Sequence, residues 1–137
     1  MRQIAVVIPV FNQPSRLREV VSRCLRECPR VLVVDDGSEP PVASLLAELP
    51  VEVLRHEVNL GKAQAIRTAA RCLGGQGVTH MITLDADGQH DPEDLPRMIE
   101  AIRDHPESLI VGVRDFEGEN VPASSRFGRA FGNFWVR

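Results

Sequence analysis

IAVVIPVFNQPSRLREVVSRCLRECPRVLVVDDGS, residues 4–38, decides the fold class, because it reads as a strand, a helix and a second strand in succession. Ile4 to Val10 is an almost unbroken apolar run, which predicts a strand buried on both faces. Pro14 to Glu27 follows with Leu17, Val20, Val21, Cys24 and Leu25 at helical spacing, the apolar face of an amphipathic helix. Val31 to Val34 is continuous and β-branched, a second buried strand ending in Asp35-Asp36-Gly37-Ser38. Two buried strands joined by a helix form the crossover that parallel pairing needs.

The alternation continues outward. Pro40-Pro41 opens a short helix through Leu49, and Val51 to Leu54 is a third strand. Asn59-Leu60-Gly61 is a turn, after which Lys62 to Leu73 is an Ala-rich helix able to lie close on the sheet, broken by Gly74-Gly75-Gln76-Gly77. Met81 to Leu84 is a fourth strand, ending in Asp85-Ala86-Asp87-Gly88-Gln89-His90. Asp91-Pro92-Glu93-Asp94 begins a helix running to about Arg103: an Asp cap, Pro at the first helical position and acids in the first turn. Leu109 to Val113 is a fifth strand. The expected fold is α/β, a Rossmann-like, mainly parallel sheet flanked by helices in three layers. Beyond Arg114 the pattern weakens. Phe127, Phe131, Phe134 and Trp135 keep helix-like spacing, and the expectation is an element whose partners lie further on.

Composition limits the classes of function. The 137 residues suit one domain with a sizeable core, 43% are hydrophobic and 26% charged, so disorder is excluded. A formal net charge of −3 argues against a nucleic-acid partner bound through a basic field. Against that balance, Arg114, Arg126, Arg129 and Arg137 make a cationic tail. Cys24, Cys28 and Cys72 are an odd number without zinc spacing, read as reduced thiols of a cytosolic protein. Met-Arg-Gln leads directly into the first strand, which is too short for a membrane span and lacks a cleavage site.

Open α/β sheets collect ligands beyond the carboxyl ends of their strands. Three such ends here carry acids or turn-formers: Pro9-Val10-Phe11-Asn12, Asp35-Asp36-Gly37-Ser38 and Asp85-Ala86-Asp87. Asp85 and Asp87, one residue apart, can present oxygen ligands to a hard divalent cation that also bridges a diphosphate. Asp-x-Asp alone is equally a solvated turn; its place after a buried strand, with Gly88-Gln89-His90 behind it, favours the cation. Of Asp35 and Asp36, one carboxylate suits a nucleotide base or ribose while the other orients the loop, and a plain capping turn is the bland alternative. Neither a Gly-x-Gly-x-x-Gly nor a lysine-bearing phosphate loop is present, so a nucleotide would be held by carboxylates and metal. Lys62 and Arg67 read as helix-surface charges, although Lys62 lies near enough to the third-strand loop to touch a phosphate. For His90, a structural loop role and a metal-proximal role are equally open.

Together these segments resemble a known family. Val7-Ile8-Pro9-Val10-Phe11-Asn12, Val33-Val34-Asp35-Asp36-Gly37-Ser38, Asn59-Leu60-Gly61-Lys62 and Leu84-Asp85-Ala86-Asp87-Gly88-Gln89-His90-Asp91-Pro92-Glu93 resemble, in order and spacing, family 2 glycosyltransferases of the GT-A fold. With Val111-Gly112-Val113-Arg114 and Ser125-Arg126, the likeness is strongest to the polyprenyl-phosphate (dolichyl- or undecaprenyl-phosphate) mannose or glucose synthases.

The resemblance implies roles. Pro9, Phe11, Gln13, Asp36, Lys62 and Asp85 would line the nucleotide site, and Asp85, Asp87 and Gln89 would hold Mg²⁺ or Mn²⁺, with Asp87 the principal ligand. Arg114 and Arg126, with Arg129 assisting, would hold the phosphate of the lipid acceptor, which accounts for the cationic tail. Gln13 stands where the family usually has Glu, so that contact keeps its hydrogen bonding and loses its charge. Residues 1–114 would be the nucleotide-sugar-binding core and 115–137 the start of an acceptor-side segment. The implied reaction is metal-dependent, inverting transfer of a sugar from a UDP- or GDP-sugar to a polyprenyl phosphate, at the inner, cytoplasmic face of a membrane. The alternatives are a family 2 enzyme with a saccharide acceptor, an inactive nucleotide-binding fragment, a nucleotidyltransferase, and a phosphoacceptor receiver domain. The third lacks its phosphate loop here, and the fourth would carry its acid pair after the first strand.

Overall fold

A computed structural model of the chain describes residues 3–110. Four parallel strands, β1 (Ile4–Val10), β2 (Val31–Asp36), β3 (Glu52–His56) and β4 (His80–Thr83), lie in the order β3-β2-β1-β4. The helices are α1 (Leu17–Glu27), α2 (Lys62–Gly75) and α3 (Leu95–Asp104), with 3₁₀ turns at Ala43–Leu46 and Pro92–Asp94.

The central strands are covered on both sides, which is why β1 and β2 are apolar without alternation. Val6, Ile8, Val10, Val31 and Val33 face Leu17, Val20, Val21 and Cys24 of α1 and Leu95 and Ile102 of α3. Ala5, Val7, Leu32 and Val34 face Ala65, Ala69 and Leu73 of α2. The two clusters make the expected three layers. Cys24 and Cys28 are buried free thiols in the first; burial, with Cys28 alongside, pushes the Cys24 thiol up to about 12 and keeps it protonated.

Element bounds differ from the sequence reading for local reasons. Helix α1 starts at Leu17 rather than Pro14, since Pro14–Arg16 is spent on a turn whose Pro14 carbonyl accepts from the Leu17 amide at 3.3 Å. Strands β2 and β3 run on to Asp36 and His56, because Asp35 pairs with Arg55 and Asp36 with His56 across the ladder. Helix α2 continues through Gly75 and closes on Gly77 at φ +82°. There Val78 N donates to Leu73 O at 3.0 Å and Gly77 N to Gly74 O at 3.2 Å, the paired bonds of a Schellman stop. Pro92–Asp94 is a separate 3₁₀ turn ahead of α3, capped by Asp91, whose carboxylate accepts from Glu93 N at 3.0 Å. Of the expected fifth strand, Leu109 and Ile110 are described and neither is in a strand; 111–113 lie outside the described residues.

The chain order sets the site. β1, β2 and β3 step outward in one direction, and then α2 carries the chain back across the opposite face to β4, beside β1. The connections leaving β1 and entering β4 therefore pass on opposite faces, and a crevice opens at the carboxyl ends of those two strands.

Candidate active site

A cleft of about 380 Å³ occupies that crevice. Pro9, Phe11 and Gln13 come from the end of β1, Asp36 from the end of β2, Asn59, Gly61 and Lys62 from the turn into α2, and Asp85, Ala86 and Asp87 from the end of β4. Every described residue assigned from sequence to the nucleotide lines it, as do both aspartates assigned to the cation. Gln89 sits on the same 85–90 loop and is not among the lining residues. Arg114, Arg126 and Arg129 lie outside the described residues.

The two carboxylates of β2 are partnered differently. Asp35 is 1% exposed. It accepts from Ser38 N at 2.9 Å, Val42 N at 3.1 Å and Arg55 Nη1 at 2.8 Å, with the Ser38 hydroxyl as a further donor. A carboxylate offers about four acceptor positions, and these fill them. Asp36, also buried, takes His56 Nδ1 at 2.7 Å and Leu60 N at 2.9 Å on Oδ1, and Gly61 N at 2.9 Å on Oδ2. One acceptor position remains, on Oδ2. Burial alone would raise both carboxyls, but the donors around each outweigh it and hold them below the ordinary carboxylate range. An ionised Asp36 only accepts, so His56 Nδ1 carries the proton of that bond; its other nitrogen meets Thr68 Oγ1 at 2.8 Å, tying β2 and β3 to α2.

The loops around the cleft are fastened to one another. Asn12, left-handed at φ 51°, donates its amide to Ser38 Oγ at 2.9 Å and accepts from Glu39 N at 2.9 Å on its side chain. The loop after β1 is thereby locked to the loop after β2. Gly37 lies against the backbone of Val58 and Asn59, so that the turn into α2 packs directly on the end of β2. Arg16 crosses Gly88, its Cδ 3.1 Å from where a Cβ would stand.

The 85–90 loop carries the oxygen donors. Ala86 is buried in the core, while Asp85 and Asp87 border the cleft on either side of it. Asp85 N donates to His90 Nδ1 at 3.0 Å, which leaves the proton of the neutral ring on Nε2, 3.8 Å from Asp85 Oδ2. His90 thus fastens the loop and also stands beside the Asp85 carboxylate. Lys62 Nζ pairs with Asp85 Oδ1. Asp87 Oδ1 accepts from Gln89 N at 2.9 Å. Among the described residues no three or more His, Cys, Asp or Glu side chains converge into a closed cage. The two carboxylates are instead a partial set of hard oxygen donors, which suits a cation that shares its shell with a phosphate ligand.

Sequence reasoning gives no role to Arg55 and His56, which fall beyond the strand it ends at Leu54, and names Asn12 only within a strand-end motif. Only the register shows Arg55 and His56 opposite Asp35 and Asp36.

The sequence profile of the family described as glycosyl transferase family 2 matches residues 5–134. An undecaprenyl-phosphate 4-deoxy-4-formamido-L-arabinose transferase of Pectobacterium atrosepticum is 34% identical over 112 residues, 73% of this chain and 33% of its own. A polyprenol monophosphomannose synthase of Mycolicibacterium smegmatis is 33% identical over 124 residues, 85% of this chain and 46% of its own. The crystal structure of S. aureus TarS 1–349 superposes with a TM-score of 0.60 at 22% identity, covering 89% of this chain and 39% of that one, which shows a shared fold. Across such relatives the chain spans between 33% and 58% of their length.

Proposed function

This chain belongs to glycosyl transferase family 2, and from that premise we propose that it is the donor-binding half of an enzyme that moves a sugar from a UDP- or GDP-sugar to a polyprenyl phosphate. The observation that carries the reading is the single cleft where the ends of β1, β2 and β4 and the start of α2 bring Pro9, Phe11, Gln13, Asp36, Lys62, Asp85 and Asp87 together. The printed activities of the two relatives support the acceptor class.

In this reading Phe11 and Pro9 pack on the nucleotide, Gln13 hydrogen-bonds it, and the open acceptor position of Asp36 Oδ2 takes one of its donors. Asp85 and Asp87, helped by Gln89, hold Mg²⁺ or Mn²⁺, which when bound would neutralise the charge gathering on the departing diphosphate. Arg114 and Arg126 position the acceptor phosphate, with Arg129 assisting. An oxygen of that phosphate attacks the anomeric carbon from the face opposite the leaving group, so the configuration inverts. The bond to the nucleoside diphosphate breaks, and its electron pair leaves with the diphosphate. The attacking oxygen is already anionic near neutral pH, so the described residues need supply no general base. Residues 1–114 serve the donor and 115–137 begin the acceptor side. No helix among the described residues is long and apolar enough to cross a membrane; the acceptor would be met at the cytoplasmic face of a membrane.

Calorimetric titration of UDP and of GDP, each with and without Mn²⁺, tests this. The expected outcome is cation-dependent binding of one nucleotide, lost in Asp87→Ala while the thermal unfolding of the variant stays near that of the parent. Silence with both nucleotides, here and in a protein of the relatives' length, would sink the proposal.

A further inference from the structure

Lys62 is the first residue of α2 and, among the described residues lining the cleft, the one cation. Its ammonium group is on Asp85 Oδ1, the carboxylate that the proposed function gives to the divalent ion. An ammonium and a divalent cation on one carboxylate stand only a few ångströms apart, whether they share an oxygen or take one each, and at that distance like charges repel. Each weakens the other. Asp85 is the shorter side chain, and its backbone is held at the cleft, where its amide donates to His90 Nδ1 at 3.0 Å. Lys62 is mobile in principle, a compact charge on a flexible four-carbon stem with a side chain 58% exposed, in a solvent-open pair of the kind that is weakly held.

Three carboxylates, Asp36, Asp85 and Asp87, and one ammonium, Lys62, line the cleft. A diphosphate entering there brings negative charge that the ammonium can follow, which frees Asp85. Such an exchange makes one event prepare the other.

We propose that Lys62 couples the two ligands: it occupies Asp85 while the cleft is empty, keeping the divalent cation weakly bound, and moves to the diphosphate when a nucleotide enters. This rests on the cleft being a nucleoside-diphosphate and cation site. By thermodynamic reciprocity, the factor by which the nucleotide tightens the cation equals the factor by which the cation tightens the nucleotide. Lys62 raises that factor from both directions, by penalising the cation alone and by rewarding the diphosphate.

The test is Mn²⁺ binding, followed by the electron paramagnetic resonance of the free ion, on the whole chain alone and with saturating UDP or GDP. The parent is compared with Lys62→Met and Lys62→Gln, neutral side chains at an exposed helix start where loss of a positive charge favours the helix. Both variants are expected to bind Mn²⁺ about 10-fold more tightly than the parent in the absence of nucleotide, and to lose most of the coupling, which for paired ligands is typically about 5- to 150-fold. Unchanged Mn²⁺ affinity without nucleotide in both variants, with the nucleotide still tightening the ion in the parent, would overturn the role of Lys62 and leave the site intact. Absence of Mn²⁺ binding in the parent with either nucleotide would overturn the site reading and this inference with it.

Discussion

Asp35→Asn is the most discriminating single change in the architecture of the cleft. The side chain is 1% exposed and accepts from Ser38 N, Val42 N and Arg55 Nη1 at 2.9, 3.1 and 2.8 Å. Asparagine keeps the shape and one carbonyl oxygen, enough for Ser38. Its amide then points two hydrogens at donors, the Val42 amide and the Arg55 guanidinium. An unsatisfied buried N–H costs roughly 1–3 kcal/mol. Arg55, 31% exposed and still bonded to Ser38 O at 2.9 Å, adds only about 0.5 kcal/mol after screening. The expected loss is about 2–3 kcal/mol for Asp35→Asn. For Asp35→Ala, which strands both amides, it is about 3–4 kcal/mol. Total stability of such domains is roughly 5–15 kcal/mol, and a urea slope of about 1.5 kcal/mol per molar is usual. The alanine variant should therefore unfold about 2 M earlier in urea. Circular dichroism at neutral pH measures this. A shift under about 0.3 M for both variants would refute the claim that this carboxylate holds the loop from Ser38 to Val42.

Two further outcomes follow from the same geometry. Gly37 has φ +83°, and a Cβ there would lie 2.6 Å from Asn59 N and 2.7 Å from Val58 C, both backbone atoms; Gly61 has φ +97° with nothing within 4 Å. Gly61, with ψ 157° beside that φ, holds backbone essentially reserved for glycine, so Gly61→Ala should cost about 1–3 kcal/mol in strain alone, whereas Gly37→Ala adds the clash with backbone, should cost about 4 kcal/mol and should displace the turn at the cleft wall; equal melting temperatures for the two would contradict the contact. Asp35 and Asp36 are held below their unfolded values, so the unfolded chain binds more protons in acid. Their contribution is complete above the unfolded value of roughly 3.9 and is lost as pH falls through the lower folded values. Urea midpoints should be insensitive to these two groups between pH 5 and 7 and fall below about pH 4, less steeply in Asp35→Asn.

How much was legible in the sequence follows from which interactions are local. The bounds of β1 are legible because a strand buried on both faces has to be apolar throughout, and Ile4–Val10 is. The start of α2 at Lys62 and its stop in the glycines after Leu73 are legible too, since both signals are chain-local. The end of β3 is not, because Arg55 and His56 carry no apolar signal and are in the strand to meet Asp35 and Asp36, 20 residues away. The same separation hid the lock between Asn12 and the loop at Ser38. The cleft residues emerged from strand-end position and from the family resemblance, while pairings between them, above all Lys62 with Asp85, had no sequence signal at all.

The spacing of the acids explains why four aspartates at two strand ends do not do one job. Adjacent residues of a strand face opposite sides of the sheet. Asp35 accordingly turns toward the layer that holds Val42 and Leu46, where donors fill all its acceptor positions, and Asp36 turns toward the start of α2, where it keeps one open. An Asp-Asp pair at a strand end thus divides into a structural carboxylate and one at the cleft wall. Asp85 and Asp87 are two apart with Ala86 buried between them, so both reach the same cleft and neither is consumed by the core. An aspartate at position 86 would put its carboxylate where Ala86 is buried, beyond the end of β4. The Asp-x-Asp spacing keeps two oxygen donors at the cleft, and the Asp-Asp spacing ties the wall beside them to the loop at Val42 and to the start of α2.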